Sequence, residues 1–180
     1  MIASPQDVLT FWREAGPEKW FEKDAAFDDA VRARFLETYE AAAAAKLSDW
    51  ERTAEGALAL VIALDQFPRN MFRGDARTYV ADPLARAVTE RALARGFDRQ
   101  TAMPERQFFY MPLEHSESLP DQERCCALFR AAGDADLLQW AERHADIIRR
   151  FGRFPHRNGV LGRATTSEEQ AFLDGGGFKG

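Results

Sequence analysis

The densest cluster of proton-handling side chains in the sequence is Glu114-His115-Ser116-Glu117. A carboxylate beside an imidazole can serve general acid or base catalysis, so Glu114 and His115 are candidate catalytic residues. In a helix, Glu114 and Glu117 would share a face while His115 would point about 200° away from Glu117. One helix therefore cannot aim all three at a single metal. The HExxH and ExxH ligand patterns are absent and the chain has only three histidines, so neither a metal nor a cofactor is expected. His115 shares a helical face with Phe108 and Met111, as an interior hydrogen-bonded histidine would. Pro112 removes one helical hydrogen bond and kinks the segment, which can turn Glu114 or His115 toward a cavity. His144 lies on an apolar stripe and reads as a packed, structural histidine. His156 stands between Pro155 and Arg157 on a loop, where an imidazole can bind an anion or transfer a proton, and it joins the catalytic candidates.

Two loops carry the remaining chemistry. Phe67-Pro68-Arg69-Asn70 leads to Phe72-Arg73-Gly74, and Phe154-Pro155-His156-Arg157-Asn158 leads to Leu161-Gly162-Arg163. Proline disfavours helix in the residue before it, so each Phe is an expected helix stop that leaves Arg and Asn on a loop. If the loops converge, their guanidinium forks suit a carboxylate or phosphate. The expected ligand set is Arg69, Asn70, Arg73, Arg153, His156, Arg157 and Asn158. The competing reading is structural: the same side chains donate to helix-end carbonyls or pair with acids such as Asp65, Glu114 and Glu117.

Helices must position these residues. Ser4-Pro5-Gln6-Asp7 has the cap, early proline and acid of a helix start. A second helix is expected from Asp24 to Ala45, with Phe27, Val31, Phe35 and Tyr39 as its stripe, and a third, nearly all apolar, from Trp50 to Phe67. Others follow from Asp82 to Gly96, Pro104 to Ser118, Ser118 to Gly133 and through Leu137, Ala141, His144, Ile148 and Phe151. A short helix follows Thr166 or Ser167. No stretch alternates as a strand would. The expectation is one all-α domain over 1–174, built of about seven or eight helices in antiparallel hairpins, with a flexible glycine-rich tail at 175–180.

Composition narrows the function classes. Hydrophobic residues at 46% and charged residues at 29% describe a folded domain, and a net charge of -5 argues against nucleic-acid binding. The charge is uneven: Ile147 to Ser167 holds five arginines and no acid. No targeting or membrane-spanning stretch is evident, and a cytoplasmic location is expected. Adjacent Cys125 and Cys126 cannot form an ordinary bridge and are read as core filling. No GxSxG, P-loop or GxGxxG motif is present, which leaves nucleophilic and nucleotide-dependent chemistry without support.

Leu64-Asp65-Gln66-Phe67-Pro68-Arg69-Asn70-Met71-Phe72-Arg73-Gly74, the Pro112 to Glu117 segment, and Arg153 to Asn158 with Leu161-Gly162-Arg163 resemble the signature stretches of the bacterial family called domain of unknown function 924. The likeness runs from Val8 to Leu173. The resemblance implies an all-helical fold similar to tetratricopeptide-like arrays and brings no activity with it. From the residues, the leading expectation is a site for a small anionic ligand or an acidic peptide terminus. The alternatives are an enzyme using His156 or His115 with Glu114, and a structural interaction module. Whether there is a reaction, and in what oligomeric state, stays open.

Overall fold

The computed structural model describes residues 1–178. The chain is all-α, with no strand among the described residues. None of the described helices is long and apolar enough to cross a membrane. Backbone contacts divide the chain into two compact units, residues 1–112 and residues 113 onward.

In the first unit, α1 (Pro5–Trp20) opens on a capping box between Ser4 and Asp7, and it bends where Gly16 adopts a φ of 76° ahead of Pro17. The Asp24 carboxylate caps α2 (Ala25–Ala43) by accepting from Ala26 and Phe27, and the expected stripe of Val31, Phe35 and Tyr39 is buried. This helix ends in a Schellman arrangement: Lys46 N–H donates to Ala41 O and Ala45 N–H to Ala42 O, both at 2.9 Å. Ala45 takes the left-handed position, with φ 56°, where glycine is the usual occupant.

The third helical segment is the most buried, as its apolar sequence demands: every residue from Gly56 to Gln66 is buried. It does not stop at Phe67. The α-helical part, α3 (Ala54–Val61), runs through a π-turn over Ile62–Gln66 into α4 (Phe67–Met71). The Phe67 N–H bonds to Ile62 O, five residues back. That shift accommodates Pro68 in the first turn of α4, where its missing N–H costs little. Phe67 is carried into the aromatic core, 4.7 Å from the Phe35 ring and 5.9 Å from Trp12. The unit continues with α5 (Asp82–Ala94).

The single turn α6 (Met111–Glu114) carries the chain from one unit into the next. The helix expected from Pro104 to Ser118 is broken into a 3-10 turn, Glu105–Phe109, and this turn of α-helix. Pro112 sits at the start of α6, the place proline tolerates, so it begins a helix instead of kinking one. In the second unit α7 (Leu119–Ala132) and α8 (Ala135–Phe151) form a hairpin through left-handed Gly133 and the Asp134 cap. Cys125, Phe129, Ala141, Ala145 and Ile148 are buried between them, which confirms the cysteines as free core residues. The last helix, α9 (Ser167–Asp174), starts from a Thr166–Glu169 capping box. Of the segment expected as a tail, Gly175 to Phe178 are described and Lys179 and Gly180 lie outside the described residues.

Candidate functional site

The two similar loop strings fold differently. Phe67-Pro68-Arg69-Asn70 lies inside a helical rod, whereas Phe154 is extended (φ -90°, ψ 109°) and leads into a 3-10 turn over Pro155–Arg157. The cause precedes each proline. Left-handed Gly152 has already closed α8 before Phe154, while nothing ahead of Phe67 breaks the helix and the π-turn absorbs the proline. The two strings fall in different units.

In the first unit the expected ligand residues are engaged by acids. Arg69 donates to the Asp65 carbonyl oxygen at 2.6 Å, and its fork grips Asp82 at 3.0 and 3.2 Å. Asp65 and Asp82 are both buried. Burial works against the Arg69 cation, but the charges of Asp65 and Asp82 and the Asp82 hydrogen bond outweigh it, so its pKa is raised. Asn70 donates to Asp28 at 2.7 Å, and Arg73 takes the same carboxylate in a fork at 2.9 Å on each arm. Asp28 therefore fastens α4 and the following turn to α2.

Two more arginines of the second unit are engaged in the same way. Arg163 forks onto Glu117 at 2.7 and 2.9 Å and also donates to Asn158 Oδ1, while Glu117 accepts the Phe154 N–H at 2.8 Å. Glu117 is held below its ordinary carboxylate range: burial raises it, and the Arg163 and Phe154 hydrogen bonds overcome that. Arg153 forks onto Glu169 at 2.6 and 2.9 Å, and Asn158 donates to the same carboxylate at 3.2 Å. With the Thr166 N–H added at 2.8 Å, Glu169 is pulled down to about 2, chiefly by Arg153. The structural pairing expected of Asp65 and Glu117 is thus present.

A further cluster of titratable groups gathers around the Glu114–His144 pair. Glu114 Oε1 lies 3.0 Å from His144 Nδ1, and each residue is only 7% exposed. His144 Nδ1 also faces the Trp140 carbonyl oxygen at 2.9 Å. Two acceptors at one ring nitrogen require that nitrogen to carry the proton, which in the neutral ring puts the lone pair on Nε2. Gln122 positions the chain from the other side, donating to Glu114 O at 2.5 Å and Ser116 O at 2.7 Å. His156 and His144 both contact the Phe154 ring, at 5.6 and 5.7 Å, and the Arg157 guanidinium lies 4.5 Å from that ring's centre. Arg157 is buried and its charge reaches Glu117. His115 is half-buried.

The structure thus brings His144, His156 and Arg157 to one aromatic ring, with Glu114 against His144. His144 was the residue that sequence reasoning set aside, because its place on the apolar stripe of α8 looks the same whether its polar edge meets a carboxylate or not. Glu114 and Glu117 do not share a helical face, since α6 ends at Glu114. They turn to different partners. Burial, and then the Glu114 charge, hold the neighbouring Cys125 thiol well above its ordinary pKa, which disfavours the thiolate form. No cluster able to hold a metal ion occurs among the described residues.

The model of a family described as bacterial protein of unknown function (DUF924) matches residues 8–177. The chain belongs to this family. A solved structure described as a protein of unknown function from Agrobacterium tumefaciens, ATU0120, is similar to it with a TM-score of 0.93 and 48% sequence identity. That match covers 95% of this chain and 97% of the other. None of the curated proteins compared matches this chain.

Proposed function

We propose that the second unit carries a general acid–base site acting on a small anionic molecule in the cytoplasm, with His144 as the proton-transferring group and Glu114 as the residue that orients it. The observation that carries this reading is the buried Glu114–His144 contact of 3.0 Å. A carboxylate on Nδ1 fixes the tautomer and stabilises the imidazolium that forms when Nε2 takes a proton. The His156 imidazole and the Arg157 guanidinium lie beside the same ring, and both are groups that can donate hydrogen bonds to a carboxylate or phosphate. Arg69, Arg73 and Arg153, expected as ligand residues, are gripped by Asp82, Asp28 and Glu169.

A second reading is a structural interaction module of helical hairpins resembling tetratricopeptide arrays. The forked arginine–carboxylate pairs favour it, since they rivet segments together without any ligand. The two readings separate in one titration. Acetate, benzoate, inorganic phosphate and phenyl phosphate are added to the 15N-labelled protein and to Arg157→Ala, and the imidazole resonances of His144 and His156 are followed. The acid–base reading expects one of these anions to shift both histidines and the response to weaken at least tenfold in Arg157→Ala. No response from either histidine to any of the four, or a response unchanged in Arg157→Ala, supports the structural module instead.

A further inference from the structure

The place beside both histidines is filled by the chain itself. The Phe178 ring meets His144 nearly edge-on at 4.5 Å and 66°, and His156 at 5.2 Å and 83°. It also packs on the apolar cluster of Ile147, Ile148 and Phe154. We infer that this is an aryl subsite, that Phe178 is its displaceable occupant, and that the ligand of the site joins a planar aromatic group to its anion, as an aryl carboxylate or aryl phosphate does. The inference rests on the acid–base reading above and names the ligand class for that same site.

The approach of Phe178 is built, not incidental. After α9, Gly176 N–H donates to Leu173 O at 3.3 Å and Gly177 N–H to Phe172 O at 2.9 Å, a Schellman stop that reverses the chain. Gly176 holds a φ of 82°, which favours glycine. A Cβ on Gly177 would meet Phe172 O at 2.5 Å and the Phe172 ring at 2.6 Å, so only glycine passes there. Two glycines with separate steric reasons thus deliver one aromatic ring to two imidazoles. Edge contact between an aromatic ring and an imidazole is a general attraction that any aryl ring can make, so a ligand's ring can substitute for Phe178 without new protein groups. The anion attached to that ring would then lie beside His156 and Arg157. The three residues between α9 and Phe178 are all glycine and bring no side chain of their own, so the Phe178 ring is the group that leaves when the place is vacated.

The test uses benzoate and acetate as paired probes on wild type, Phe178→Ala and Gly177→Ala, the last keeping the ring but denying its path. Dissociation constants come from the histidine resonances, and carbethoxylation rates of His144 and His156 by diethyl pyrocarbonate are read by mass spectrometry. Benzoate is expected to bind both variants about tenfold more tightly than wild type, with acetate unchanged, and carbethoxylation is expected to accelerate in both. Benzoate binding that is equal in all three proteins, with unchanged carbethoxylation, overturns the subsite and leaves the anion reading standing. Failure of both probes to bind any of the three overturns both.

Discussion

Replacing Glu169 by Gln is the sharpest test of the arginine–carboxylate pairing that organises the second unit. Glu169 is buried and accepts from both arms of Arg153, from Asn158 and from the Thr166 N–H. Its pKa falls from an ordinary 4.5 to about 2, first through the Arg153 hydrogen bonds. At about 1.4 kcal/mol per unit that shift has a ceiling near 3.5 kcal/mol. The Arg153 guanidinium is 28% exposed and screened by water, which brings the expected loss to about 1–2 kcal/mol. Glutamine can still accept the Thr166 N–H, so the helix cap survives and the charge alone is removed. A depressed carboxylate contributes stability that is fully present above pH 4.5 and is lost as pH falls through about 2. Urea unfolding of wild type and Glu169→Gln at a series of pH values should therefore show a gap of that size at pH 7 that narrows progressively below pH 4.5. A gap under 0.5 kcal/mol at pH 7, or one that does not change with pH, refutes the assignment.

Ala45→Gly should stabilise the protein by about 0.5–1 kcal/mol, raising Tm by about 1–4 °C, because it relieves a left-handed alanine at the end of α2; calorimetry checks this. Arg69→Met should cost about 3–5 kcal/mol by stranding buried Asp65 and Asp82, and denaturant midpoints will show it. Cys125 should resist Ellman's reagent in the native protein and react only as fast as the second unit opens, so its labelling rate should follow denaturant concentration.

The helices were legible because their signals are local. Ser4 with Asp7, Thr166 with Glu169, and Gly133 all mark the ends where the chain turns. Where two local rules competed, sequence reasoning went wrong. Pro68 looked like a helix stop, but burial of Phe67 against Phe35 and Trp12 favours a continuous rod, and a π-turn reconciles the two. Pro112 looked like a kink within a helix and instead starts one. The site was half legible. Glu114, His156 and Arg157 stood out by residue type, and the pairing of Asp65 with Arg69 and Glu117 with Arg163 was available as an alternative. His144 was not, since contact with Glu114 joins residues thirty positions apart on separate helices and leaves no trace in either helix's periodicity. Nor does spacing reveal that Asp28 in α2 would claim both Asn70 and Arg73.

The central claim is that buried Glu114 fixes His144 with its proton on Nδ1 and its lone pair on Nε2. Long-range 1H–15N correlation of the imidazole rings, at a pH where His144 is neutral, reads the tautomer directly. The expected result is an Nδ1–H tautomer for His144 in wild type, with a changed ring pattern in Glu114→Gln. An Nε2–H tautomer, or a ring pattern indifferent to Glu114→Gln, would contradict it.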